Sequence, residues 1–259
     1  MAVADLDALA PFRLDGKVAV VTGASSGLGA RFARVLHAVG ATVVVAARRA
    51  DRLTALVDDL GSRAIAVPGD VASPADRETL LAEALERAGR VDVLVNNAGV
   101  GGGVAAIDLP LDAWRHVLDV NLEAPFHLSQ LAAPHMIDRG SGAIVNVASI
   151  LGLVGVGQIP QAAYHASKGA LVNLTRELAA EWGRSGVRVN ALCPGYFRTE
   201  INDELLGSDS GAQWVRRRTP MGRPGFEGEL DGALLLLASD ASAYMTGSVV
   251  VVDGGWTAI

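Results

Sequence analysis

Residues 17–29 read KVAVVTGASSGLG. Within them, 18–21 form a short apolar run with no polar interruption, and after them 30–39 have helical character ended by Gly40. The connection is Thr22-Gly23-Ala24-Ser25-Ser26-Gly27-Leu28-Gly29. Glycines in such a turn let the chain bend sharply and bring its backbone close to a diphosphate. The free N–H groups and dipole of the following helix favour that anion. The spacing G-x-x-x-G-x-G differs from the commoner dinucleotide fingerprint G-x-G-x-x-G. A glycine-rich turn can also be purely structural, but its place between a buried strand and a helix favours a nucleotide.

The same alternation extends outward. Strand-like runs recur at 42–47, 64–67, 91–95, 143–147, 187–192 and 248–252. Helical stretches lie between them at 51–60, 74–88, 111–139, 160–183 and 227–237. Ser73 and Pro74 suit the N-cap and first position of one helix, and Pro125 is expected to bend the longest. The strands are continuous and rich in Val and Ile, as strands buried on both faces are. This pattern predicts an α/β fold, a doubly wound parallel sheet with helices on both faces. One domain is expected over 14–259, preceded by an arm of residues 1–13 that touches the body through Leu9 and Phe12. Residues 196–226 are polar and turn-rich and are expected to cover the substrate, with low order in its absence.

Composition narrows the function. The chain has 259 residues, is 50% hydrophobic and contains 30 Gly, enough for a large aliphatic core and far from disordered or collagen-like composition. A net charge of −6 with dispersed basic residues argues against nucleic-acid and membrane-surface partners. The densest basic run, Arg216-Arg217-Arg218, reads either as a solvated loop or as an anion contact. Cys193 is the only cysteine and reads as a small buried hydrophobe, so no internal disulfide forms, which fits a cytoplasmic protein. The first residues lack a signal-peptide pattern, and no apolar run has membrane-spanning length. The five histidines show no metal-ligand spacing, and no catalytic metal is expected.

The chemistry is expected in residues 146–168, NVASILGLVGVGQIPQAAYHASK. Ser149 follows a strand, and Pro160 is placed to start a helix. Tyr164 and Lys168 then project from one helix face, where a nearby ammonium would lower the phenol toward working pH. A Tyr and a Lys four apart are common on any helix, so the pair gains meaning only from the rest of the chain. Asp70-Val71 and Asn96-Asn97-Ala98-Gly99 supply part of it, since both follow strands whose carboxyl ends are the ligand side of an open sheet. Both segments are also ordinary turn residues.

Six motifs, TGASSGLG (22–29), DV (70–71), NNAG (96–99), Asn121 with Ser149, YHASK (164–168) and PGYFRT (194–199), occur in this order. In these, and in ASDAS–YMTG–VVVDGG near the C-terminus, the chain resembles the short-chain dehydrogenase/reductase family from about residue 14 onward. The resemblance implies a seven-stranded Rossmann-like sheet of order 3-2-1-4-5-6-7 and an NAD(P)-dependent oxidoreductase of carbonyls and secondary alcohols. It implies Tyr164 as general acid/base and Ser149 as the hydrogen-bond partner of the substrate oxygen. Lys168 would bind the nicotinamide ribose and tune the tyrosine, and Asn121 would hold a proton-relaying water. It places the cofactor against Thr22, Gly23, Ser25, Ser26, Gly27, Leu28 and Gly29, then Asp70 and Val71, Asn97, Ala98 and Gly99, and finally Pro194, Gly195, Phe197 and Thr199. A homotetramer is the family expectation. A nucleotide-binding regulator on the same fold is the rival, and the complete Ser/Tyr/Lys/Asn set argues against it.

One departure is the 15-position step from Ser149 to Tyr164, about two longer than the family usually shows. It implies a longer pocket wall within 152–161. At the end of the second strand, Ala47 stands where an NAD-binding acid would be, and Arg48 and Arg49 follow. That favours NADP(H), with Arg48 the stronger phosphate ligand. Ser25 and Ser26 place no base in the glycine turn, which keeps NAD(H) as the alternative.

Overall fold

The structure is a computed structural model that describes residues 7–259. Seven strands form one sheet: β1 (Val18–Thr22), β2 (Thr42–Ala47), β3 (Ala64–Pro68), β4 (Val93–Asn96), β5 (Gly142–Val147), β6 (Val187–Pro194) and β7 (Val249–Val252). Their order is β3-β2-β1-β4-β5-β6-β7 and every pairing is parallel, as the resemblance implies.

Strand residues alternate between two cores. Ala19, Val21, Val43 and Val45 face α1 (Gly27–Ala38), α2 (Ala50–Leu60) and α9 (Asp231–Ala238), through Phe32, Leu36, Leu53, Leu234 and Leu237. Val18, Val20, Val44 and Ile144 face α3 (Pro74–Ala88), α5 (Ala124–Asp138) and α6 (Ala162–Trp182), through Leu80, Leu128, Met136 and Leu178. Each such Val, Leu, Ile, Phe or Met side chain contributes about 1.5–3 kcal/mol by leaving water, which is why strands buried on both faces carry no polar alternation.

The long central helix differs from expectation. It runs as α4 (Leu111–Leu118), a π-turn over Asp119–Glu123, and α5. The Ala124 N–H reaches the carbonyl of Asp119, five residues back. Pro125, which has no N–H to donate, sits in the first turn after this widening. Pro160 lies ahead of α6, whose N-cap is Gln161. In the arm, Leu9 is 72% exposed and does not pack. Phe12 is half-buried, and its turn, Ala10–Phe12, lies against Asp240–Ser242, while Leu14 is buried and its N–H donates to the Val39 carbonyl. Residues 1–6 of the expected arm lie outside the described residues.

Residues 196–226 fold into α7 (Asp203–Gly207) and α8 (Asp209–Arg218), where turns and low order were expected. Ser208 caps α8, accepting from the Gly211 N–H at 3.2 Å. Buried Leu206 and Val215 seat this flap on the body. With so few apolar positions, the helical period is hard to read from sequence. No described helix is long and apolar enough to cross a membrane.

Candidate active site

The carboxyl ends of β1, β2, β4, β5 and β6 open on one cleft of about 340 Å³. That is within the usual range for a small-molecule site. It joins the glycine turn, Ala47, Arg48 and Arg49, Asp70 and Val71, and Asn97 to Gly99 to Ser149, Tyr164, Lys168, Pro194, Gly195, Phe197 and Thr199. Thr22 and Asn121 stand behind the lining.

The glycine turn has no room for side chains where it meets the loop after β4. A Cβ on Gly29 would lie 2.3 Å from the Gly23 carbonyl oxygen, and one on Gly23 would lie 2.8 Å from the Ala98 Cα. Gly23 and Gly27 have φ of 68° and 51°, which favour glycine. The Thr22 hydroxyl receives the N–H groups of Asn97 and Ala98, both at 3.1 Å. Asn97 Nδ2 donates to the Thr22 carbonyl at 2.9 Å. The N-cap Ser26 makes no side-chain cap bond, and the first-turn N–H groups of α1 have no intrahelical partner. This cradle fits the diphosphate of a dinucleotide. Asp70 lines the cleft and also makes an ordinary turn bond, accepting from the Ala72 N–H at 3.0 Å.

Arg48 is exposed and, among the described residues, makes no hydrogen bond or ion pair. Arg49 leans over the glycine turn. Its guanidinium donates to Ser25 Oγ at 2.9 Å and Ser26 Oγ at 2.8 Å, and pairs with Glu200 at 2.9 Å. Arg52 meets the same carboxylate at 2.7 Å. The two guanidiniums hold Glu200 down to about 2. Glu200 has no sequence signal, because its partners are about 150 positions away.

At the other end, Lys168 is 3% exposed and donates to the Val147 carbonyl at 2.7 Å. Burial lowers its pKa to about 8. Its Nζ lies 5.7 Å from the centroid of the Tyr164 ring. The expected lowering of Tyr164 does not occur in the protein alone: burial raises the phenol, and the Ser149 hydroxyl opposes it only partly. An ammonium already bonded to a carbonyl gives too little to offset that desolvation. Ser149 Oγ also accepts from the Leu151 N–H at 3.1 Å, so the longer step to Tyr164 leaves the serine at the site. The added length forms a wall that buries Leu151 and Val156. Cys193 is wholly buried and burial raises it to about 11, so it is unreactive.

Asn121 sits in the π-turn, fully buried. Its amide clamps Val100, accepting from the N–H at 2.8 Å and donating to the carbonyl at 2.9 Å, and it also donates to Ser167 Oγ at 3.1 Å. A Cβ on Gly99 would stand 3.4 Å from Asn121 Oδ1 and 3.5 Å from Lys168 Nζ, so the two groups flank one glycine. Below lies a buried relay without a sequence signal. Asn96 Nδ2 donates to Asn146 Oδ1 at 2.8 Å, and Asn146 Nδ2 donates to Thr175 Oγ1 at 3.0 Å. It ties β4, β5 and α6 together beneath the site.

Beyond Tyr164 an aromatic cluster joins the pocket wall to the flap. Tyr196 meets Trp256 at 4.8 Å and Trp214 at 5.7 Å between ring centroids, and the two indoles meet at 5.1 Å. Tyr164, Tyr196 and Trp214 all pack against one buried apolar group that includes Leu151, Val156 and Trp256.

A family profile described as enoyl-(acyl carrier protein) reductase matches residues 23–257. Gluconate 5-dehydrogenase of Gluconobacter oxydans (strain 621H) is 38% identical over 95% of this chain and 96% of its own. Cis-4-hydroxycyclohexanecarboxylate dehydrogenase of Sinomonas cyclohexanicum is 42% identical over 94% and 97%. The crystal structure of a gluconate 5-dehydrogenase from Burkholderia cenocepacia J2315, in complex with NADP and tartrate, superposes with a TM-score of 0.92 at 38% identity, over 97% of this chain and 99% of that one.

Proposed function

This chain belongs to the short-chain dehydrogenase/reductase family and is an NAD(P)-dependent oxidoreductase of alcohols and carbonyls, and from that premise we propose that Tyr164 is its general acid/base. The observation that carries the proposal is that Ser149, Tyr164 and Lys168 share one cleft with the glycine turn. The nicotinamide supplies or accepts the hydride when bound. Ser149 and Tyr164 hold the substrate oxygen, and Tyr164 gives it a proton in reduction and takes one in oxidation. Lys168 keeps a positive charge beside the phenol and binds the nicotinamide ribose. Asn121 fixes the Val100 backbone through both of its amide atoms. Asn121 also helps hold the water that relays protons from Lys168. Asp70 is the partner for the adenine amine. Replacing Tyr164 by Phe removes only the hydroxyl. If the variant turned over the best substrate at the original rate, the assignment would fall.

The cofactor is NADP(H) in preference to NAD(H). Ala47 presents no carboxylate to repel a 2′-phosphate, and Arg48 is unpaired among the described residues. Arg49 brings to Ser25 and Ser26 the positive charge that the glycine turn lacks in sequence. Its bond to Glu200 is exchangeable. Glu200 is 55% exposed, and exposed pairs of this kind are worth about 0–1 kcal/mol. Kinetics with both cofactors test this, and a clear NADH preference overturns it.

The substrate flap is 196–226, on one catalytic domain over 14–259. The protein is a cytoplasmic homotetramer. Leu111 and Ile259 support this assembly, being 67% and 88% exposed on the central helix and at the C-terminus. Light scattering on the eluting protein checks the tetramer, and a monomer at micromolar concentration refutes it.

A further inference from the structure

Arg77 is 1% exposed and sits in the first turn of α3. Local chemistry does not put it there. A cation near the amino end of a helix opposes the dipole, and a buried guanidinium loses its water. Nε donates to the Ser73 carbonyl at 3.4 Å, and Nη2 donates to Glu123 Oε1 at 2.9 Å. Nη1 is buried with no acceptor among the described residues. Stability alone explains such a group poorly, because hydrocarbon of similar size often serves a buried place as well as a charge does. What the guanidinium holds is the better guide.

Glu123 closes the π-turn that contains Asn121. The chain is α-helical on both sides of this turn, and the wider register is rare. Pro125 removes one donor of the narrower register and so permits the turn, but it does not fix the side that Asn121 faces. Two clamps do. Asn121 is tied to both backbone groups of Val100 and to Ser167 Oγ. Glu123 lies two positions on, about half a turn round the axis, and is tied to Arg77 from α3. Val120, within the turn, and Val100, across from it, both line the cleft.

We propose that Arg77 is a positioning residue for Asn121: by holding Glu123 it keeps the π-turn in register and the Asn121 amide on Val100. The proposal rests on reading Asn121 as part of the proton relay. Arg77 lies outside the cleft and touches neither substrate nor cofactor.

Two readouts test it. The first is amide hydrogen exchange at Val100, whose N–H donates to Asn121 Oδ1. Arg77→Met should speed that exchange at least tenfold, with Leu94 and Val95 in β4 protected as in the wild type. Its melting temperature should stay close to that of the wild type, since Glu123 is exposed enough to take water in place of the guanidinium. Arg77→Lys should recover part of the protection. Glu123→Gln changes only a surface side chain and should give a smaller rise at Val100, so the test stands even if Arg77→Met does not fold. Leu80→Ala opens a void in the core between α3 and α5, and should lower the melting temperature without moving Val100. An unmoved Val100 in both Arg77→Met and Glu123→Gln, or a rise shared with β4 or with Leu80→Ala, overturns the proposal.

The second readout is a double-mutant cycle on turnover of the best carbonyl substrate. Arg77→Met should lower kcat roughly three- to thirtyfold with both KM values unchanged, and should cost nothing further in the Asn121→Ala background. Losses that multiply, or a loss that falls on KM, overturn a role through Asn121. An Asn121→Ala protein with the wild-type kcat, alongside an Arg77→Met protein that still releases Val100, would sink the relay reading of Asn121 instead.

Discussion

The two ends of the sheet both carry charge, and they use it differently. At the amino ends of β1, β4, β5 and β6 lies a hollow of about 540 Å³, larger than the cleft of about 340 Å³ at the carboxyl ends. Of the charges around the hollow, Asp92 and Arg188 are satisfied within the protein. Asp92 accepts from the Val18 N–H at 2.9 Å and from both arms of Arg90, at 2.8 and 2.6 Å. Arg188 is held by the Leu237 carbonyl at 3.1 Å, the Ser239 carbonyl at 3.0 Å and Ser242 Oγ at 2.6 Å. In the cleft, Arg48 has no partner among the described residues, Tyr164 and Lys168 are displaced from their ordinary pKa values, and the first turn of α1 presents free N–H groups. Volume does not separate the two ends. Chemistry left open does, because open groups are the ones a ligand can engage.

Substitutions at the two ends should therefore separate activity from stability. The largest effect is expected for Tyr164→Phe. Turnover should fall by about 10²–10⁴-fold while cofactor binding and thermal stability stay as in the wild type, because only the transferable proton is removed. Next is Arg48→Asp, which puts a carboxylate where a 2′-phosphate would sit. The NADPH-to-NADH preference should reverse, and an unchanged ratio of kcat/KM values would break the assignment of Arg48.

The pH profiles should diverge. Reduction needs a protonated Tyr164, which its raised pKa guarantees, and a charged Lys168 beside it. Lys168 is charged below its pKa of about 8 and neutral above it, so reduction should decline as pH rises through that value. Oxidation needs the phenolate, which the raised pKa of Tyr164 places at higher pH, so its increase should come only above that interval. A reduction rate that stays flat through that value would show that the Lys168 charge is not required.

At the amino end, Asp92→Ala should lower stability by about 1–3 kcal/mol, because it leaves the Val18 N–H without its acceptor. kcat/KM should not change, and a loss of activity in still-folded protein would tie the two ends together. The smallest effect is expected for Glu200→Gln. It frees Arg49 from an exposed pair and should improve KM for NADPH a few-fold without moving that for NADH.

How much of this was legible depends on distance along the chain. Strand and helix order was readable because the period of burial is local, and the glycine turn because its three glycines lie within seven residues. Tyr164 and Lys168 were readable as one turn of a helix. The effect of one on the other was not, since it depends on how deeply both are buried and on the Val147 carbonyl that holds the ammonium. The π-turn was invisible because Pro125 signals a bend and not its kind. The flap helices were missed for want of apolar periodicity.

The sequence by itself determined the alternation of buried strands and helices, the cofactor turn and the identity of the reacting side chains. These follow from local chemistry and short spacings. Only the tertiary structure decided that Arg49 would sit on Ser25 and Ser26 against Glu200, and that Arg218 would lie near the rings of Trp214 and Trp256. Those contacts join residues from separate elements, and packing of the flap and the C-terminal turn against the sheet is what brings them within reach.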